Sequence, residues 1–234
     1  MAYAFGAANT DSIDCGPNVT KNTKYTLYAR FTTTVINTAT RMLAAYYVDA
    51  SVQYQTALYF GGASNMIANG LFSWTSGTTN YVGTTWLSGF GAGETHRLTY
   101  AVDPGSTLQD LYADSDSTAK AHVGDAHAAD QVANQRFTIG NNQGQTNSFN
   151  GTIYEIAWWA GTLLTGGQIA QLASGNLSGI PNPTSYWGFN VDATDLFGGQ
   201  HGTVTGAVLA AGDGLNLYNN PTRSQGRGLL LGVS

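Results

Sequence analysis

The sequence predicts an all-β protein, two antiparallel sheets packed as a jelly-roll sandwich with one short helix. Three observations carry this. The chain of 234 residues holds 30 Gly, 12% aromatic residues and only 10% charged residues, and its polar remainder is mostly Thr, Asn, Ser and Gln. That mixture favours strands and turns over helices. Short apolar stretches with partial alternation recur along the chain and stop at turn residues. One segment alone carries both a start and a stop signal for a helix.

The elements follow in chain order. Tyr25 to Thr32 places Tyr25, Leu27, Ala29 and Phe31 on one face, the pattern of a strand lying on a core. Met42 to Val48 and Tyr54 to Phe60 are the next strands, the second stopped by Gly61-Gly62. Met66 to Trp74 follows, and then a loop of Ser, Gly, Thr and Asn. Arg97 to Val102 alternates and stops at Asp103-Pro104-Gly105, where Pro fixes φ and Gly accepts a positive φ. Leu108 to Ala113 is the return strand. Phe137 to Gly140 and Gly151 to Trp159 form a further pair, with Trp158 and Trp159 on opposite faces. Thr165 and Gln168 match a capping box, Ile169 and Leu172 share a face, and Gly175 is the stop. Thr203 to Leu209 is the last strand. The expected division is a sandwich over 1–210 and a C-terminal tail or arm over 211–234.

The late segment resembles the laminin-G-like members of the concanavalin A-like lectin/glucanase superfamily. The likeness rests on Ile139, Gly140, Phe149, Gly151, Ile153, Glu155, Trp159, Leu164, Thr165, Ile169 and Leu172. It extends more loosely to Ser12 to Gly16, to Lys24 to Thr33, and to the hairpin Glu94 to Ser115. The superfamily's Tyr-x-Asp-Gly turn is here Tyr112-Ala113-Asp114-Ser115, without its glycine. The resemblance implies the sandwich fold. It leaves the function open, because the fold hosts lectins, hydrolases, adhesion modules and virion parts.

Several chemistries fall away on residue type. The only glutamates are Glu94 and Glu155, isolated from one another. The superfamily's glucanases carry their two carboxylates on one strand at alternate positions, and glycoside hydrolysis needs such a pair. No catalytic residue is therefore expected, and a glycoside hydrolase-like activity is the least favoured reading. Glu155 is expected to accept backbone amides beside the helix. Asp114, Asp116, Asp125 and Asp130 are oxygen ligands of the kind calcium takes, but without a calcium-loop spacing they read as turn acids. His122 and His127 read as surface histidines, so no metal site is assigned. Nine cations in a chain of net charge −5 cannot build a basic patch, which argues against nucleic acid. No apolar run is long enough for membrane insertion.

Two binding surfaces remain. Protein–carbohydrate sites combine an aromatic ring with hydrogen-bonding side chains. Trp74, Tyr81 and Trp86 in a polar stretch, with Asn141 and Asn142 just after a strand, are the candidate glycan residues. Arg223, Arg227, Leu229 and Leu230 in the tail are candidate interface residues for a homo-oligomer or another protein. A single cysteine, Cys15, excludes an intrachain disulfide, and the N-terminus carries no signal peptide. Together with a charge-poor surface suited to assembly, these features predict a non-catalytic virion structural protein. It would be a decoration or fibre protein of a phage head or tail, made in the host cytoplasm, with other capsid or tail proteins as partners. A stand-alone carbohydrate-binding lectin is the alternative.

Overall fold

A computed structural model describes residues 1–6, 10–17, 24–34, 41–48, 53–60, 67–75, 78–85, 91–103, 106, 108–119, 121–123, 135–141, 148–190, 192–213 and 215–218; of 47–48, 53–56, 60, 67–75, 78–85, 121, 123 and 135 it gives the backbone course alone. The strands are β1 (Ala2–Phe5), β2 (Ser12–Asp14), β3 (Tyr25–Thr33), β4 (Arg41–Val48), β5 (Gln53–Phe60), β6 (Ile67–Thr75), β7 (Thr78–Thr85) and β8 (Thr95–Asp103). They continue as β9 (Leu108–Ala113), β10 (Ala121–Val123), β11 (Gln135–Ile139), β12 (Gly151–Ala160), β13 (Ser185–Trp187), β14 (Thr203–Thr205) and β15 (Val208–Ala210). One helix, α1 (Gly166–Ser174), follows β12.

The strands form two sheets, as the sequence predicts. One has eight strands in the order β10-β9-β8-β3-β12-β1-β15, with β13 also on β12. The other has seven, in the order β14-β2-β11-β4-β5-β6-β7. Every pairing is antiparallel. Leu27, Ala29 and Phe31 of β3 meet Ile13, Leu58, Phe137 and Ile139 of the other sheet in the main core. Burial of such side chains at about 1.5–3 kcal/mol each is what holds two sheets face to face.

Trp158 and Trp159 point to opposite faces, and both faces are buried. Trp158 stacks on Tyr25 at 4.6 Å between the sheets. Trp159 lies on the outside of the eight-stranded sheet, under Leu164, Ile169, Leu172, Ile180 and Leu217. Helix α1 is the lid of this second core. Thr165 caps it with the reciprocal Gln168 bonds of a capping box, and Gly175 ends it in the left-handed conformation at φ 71°.

Two elements depart from the sequence reading. The stretch after Trp74, expected as a loop, is largely the strand β7. Thr203 to Leu209, expected as one strand, is two strands in different sheets. β14 pairs with β2 in the seven-stranded sheet, and β15 pairs with β1 in the eight-stranded one. Gly206 makes the crossing at φ 72°, where a Cβ would meet Asp11 Oδ1 at 2.2 Å. Only glycine fits that turn.

Beyond β15 the chain runs back over the eight-stranded sheet. Asp213 and Asn216 bond to Arg30, Leu217 donates its amide to Glu155, and Leu217 is buried. The expected boundary after 210 thus separates the last strand from a strap that itself packs on the sandwich. Arg223, Arg227, Leu229 and Leu230 lie outside the described residues.

Candidate functional site

The register of the seven-stranded sheet lines up residues across its whole width. Thr203, Asp14, Thr138, Ala45, Ala57, Leu71 and Tyr81 are successive cross-strand partners. The neighbouring row, with Ile13, Ile139, Ala44 and Leu58, belongs to the core between the sheets. Since side chains alternate along a strand, the Asp14 row belongs to the outer face. There Met42, Ala45 and Ala57 form a small buried cluster against which half-buried Tyr59 packs.

On the same face, across Thr138 from that apolar cluster, stands an ion pair. Arg136 on β11 donates from Nε to both Asp14 oxygens, at 3.0 and 2.8 Å, and Nη2 lies 2.7 Å from Oδ2. This is the bidentate geometry that fixes both side chains. Asp14 also accepts the Gly16 amide at 2.9 Å. The pair is reachable, with side-chain exposures of 41% for Arg136 and 34% for Asp14. It therefore offers a solute a carboxylate acceptor and guanidinium donors side by side, on the same outer face as the half-buried Tyr59.

The residues chosen from sequence fall differently. Trp74 and Tyr81 are on neighbouring strands of the β6–β7 hairpin, where Tyr81 pairs with Leu71 and Trp74 with Thr79. Tyr81 is thus the last in the row of cross-strand partners that starts at Thr203 and Asp14. Trp86 and Asn142 lie outside the described residues. Asn141 is corrected. It is fully buried, its amide donates to Ser148 Oγ at 2.8 Å, and its carbonyl accepts from Thr138 Oγ1. That side chain ties the end of β11 to the chain before β12 and is closed to a ligand.

Asp14, Arg136 and Tyr59 were missed. The signal was present in Ser12-Ile13-Asp14 and Arg136-Phe137-Thr138, where a polar residue flanks each core residue on both sides. Two facing strands with that pattern place their charges on one outer face.

The second polar cluster lies under the strap. Glu155 is fully buried and accepts from Arg30 Nε (2.8 Å), Tyr186 OH (2.6 Å), Tyr28 OH (3.2 Å) and the Leu217 amide (2.8 Å). The expectation of backbone amides beside the helix is corrected to one amide, two phenols and a guanidinium. Burial, and then the Glu155 charge, hold the Tyr28 and Tyr186 phenols well above their ordinary pKa. Burial works against the Arg30 charge, but Glu155 and Asp213 outweigh it and raise its pKa. Four donors on one carboxylate make Glu155 a structural anion.

The other carboxylates are likewise engaged. Asp195 accepts the amides of Tyr186, Phe197, Gly198 and Gln200, and so shapes the 195–200 turn. Asp114 takes the turn that lacks its glycine at φ 48° and accepts the Arg97 amide at 2.9 Å. His122 Nδ1 lies 2.6 Å from Asp110 across the β9–β10 pair. Asp125, Asp130 and His127 lie outside the described residues, among which no cluster of three metal-ligating side chains occurs.

No family model and no curated sequence matches the chain. Solved structures do. A heptameric pentraxin of Limulus polyphemus aligns over 77% of this chain and 84% of its own, at 16% identity and TM-score 0.59. The likeness is one of fold. A protein of Bacteroides ovatus named as carbohydrate binding aligns over 91% of this chain and 60% of its own, at 16% identity and TM-score 0.65. The CBM40 module of a Ruminococcus gnavus sialidase, solved with alpha2,3 sialyllactose, aligns over 65% and 84%, at 14% identity and TM-score 0.53. All are similar to this chain as jelly-roll, lectin-like sandwiches.

Proposed function

We propose that the protein is a non-catalytic carbohydrate-binding domain that takes glycan on the outer face of its seven-stranded sheet. The observation that carries this is the half-exposed Asp14–Arg136 pair on that face. Carbohydrate hydroxyls donate and accept at once, and a fixed carboxylate next to a fixed guanidinium serves both roles. An aromatic ring supplies the apolar contact for a pyranose face. The names of the Bacteroides ovatus and Ruminococcus gnavus structures support the same class of ligand. Trp74 and Tyr81 on the β6–β7 hairpin extend the same sheet and are further contacts in this reading. The virion reading rests on composition and on the tail, and no contact among the described residues adds to it.

A glycan array followed by calorimetry tests the proposal. Binding should appear for at least one neutral oligosaccharide and fall at least tenfold in Arg136→Ala and Asp14→Asn, with the thermal midpoint nearly unchanged. Binding that both variants retain in full would place the glycan elsewhere. An array with no ligand at all would end the reading.

A further inference from the structure

The described part of the molecule exposes six large apolar side chains: Met1, Leu196, Phe197, Val208, Leu209 and Leu215. They are not scattered. β12 is flanked by β3 on one side; its other side is shared by β1, at Gly151 to Ile153, and β13, at Ile156 to Trp158. β15 lies outside β1, and the Asp195–Phe197 segment lies outside β13, with an isolated bridge from Trp187 to Asp195 and the Leu196 amide donating to Tyr186. The strap leaves from β15, with Gly212 against the Met1 backbone, and carries Leu215. Met1, Leu196, Val208 and Leu209 therefore border one edge of the eight-stranded sheet, while Phe197, against Tyr218, and Leu215, on the strap, lie over its outer face.

The β15 part of that edge is short, three residues, but the chain from Gly202 to Gly212 holds no charged residue and no proline, two of the devices that keep edge strands from pairing. Among the described residues β15 pairs on one side only, with β1. Val208 is 65% exposed on one face of the strand, and Leu209, on the other, remains 36% exposed. Apolar residues gathered at one place on a charged or polar surface mark an interface.

We propose that this edge pairs with the same edge of a second copy of the chain, joining two eight-stranded sheets across a twofold axis near Leu209. A second copy is the occupant that the edge itself specifies. An antiparallel strand is self-complementary about a twofold axis, so β15 needs no foreign sequence to pair with. An uncharged strand meets its own copy without repulsion, which a charged one would not. Val208 of one chain then stands beside Ala210 of the other, and Leu209 beside Leu209. The Asp14–Arg136 face belongs to the other sheet and stays open in such a dimer.

Sedimentation velocity of the full chain across micromolar concentrations, with two variants, tests this. Wild type should show a monomer–dimer equilibrium. Val208→Lys puts a charge on each copy at the pairing edge and should be monomeric, with an unchanged thermal midpoint because Val208 is already exposed. Leu209→Cys should form an interchain disulfide under mild oxidation, since only self-pairing brings that position to its own copy and Cys15 is buried. A monomeric wild type would mean that something else, residues 219–234 included, covers the edge, and would overturn the proposal. So would a Val208→Lys protein that dimerises like wild type. A dimer without the Leu209→Cys cross-link would rule out the twofold pairing.

Discussion

Arg30 spends its whole guanidinium inside the protein. Nε faces Glu155, Nη1 and Nη2 reach Asp213, Nη2 also donates to Asn216, and the group lies 4.6 Å from the Tyr154 ring centre. Such a cluster is costly to break from one side and tolerable to replace whole. Arg30→Met should destabilise by about 3–5 kcal/mol, because it leaves the Glu155 carboxyl buried without its cation. Adding Glu155→Leu should recover part of that loss, as a double-mutant cycle in denaturant would show. Asp213 is the partner nearest water. Burial alone would raise its carboxyl, but the Arg30 hydrogen bond and the Leu215 amide hold it below the ordinary 3.8. A depressed carboxylate adds stability above its unfolded pKa and loses it as pH falls through the folded one. Asp213→Asn should therefore lower the thermal midpoint at neutral pH. The gap to wild type should close below about pH 4.

At the level of elements, the helix tests the outer core. Thr165 caps α1 at its exposed end, and Leu172 is buried beneath it. Thr165→Ala should cost about 1 kcal/mol, and Leu172→Ala about 2–5 kcal/mol. Chemical denaturation midpoints in the reverse order would mean that α1 does not seal the sheet. This helix was legible in the sequence because its cap, its apolar pair and its stop are local signals. The Trp158–Trp159 strand was legible because alternation is local too. β7 was not: Thr78 to Thr85 is polar, and it becomes a strand by pairing with β6 at the sheet edge. The split of Thr203 to Leu209 was hidden for a different reason. A single glycine between two β-like triplets looks the same whether the strand continues or crosses to the other sheet. Asn141 misled because a buried amide and a ligand-binding amide share a residue type; only the position of Ser148 separates them. Arg136 and Asp14 lie far apart in the chain, and only the β2–β11 register brings them together.

For the whole molecule, the strap is the feature that composition could not place. Removing 219–234 leaves every described contact in being. Removing 211–234 takes Asp213, Asn216 and Leu217 away from Arg30 and Glu155. A loss of about 3 kcal/mol would lower the midpoint by about 6–12 °C in a chain of this size. Equal midpoints for the two truncations would mean that the strap adds nothing. The sheet order has a further consequence, in time rather than in energy. β1 lies between β12 and β15, and β2 lies between β11 and β14. Although β1 and β2 are made before the other described strands, they are thus among the last to find both neighbours. At about 5–20 residues per second of synthesis, each waits many seconds with open hydrogen-bonding edges. Tyr3 cannot meet Leu209 until about two hundred further residues have been made. The central strands, β3 with β8 and β4 with β5, can assemble long before. During synthesis this protein is an unfinished sandwich with β1 and β2 unattached, and a chaperone would find those two strands, not its core, within reach.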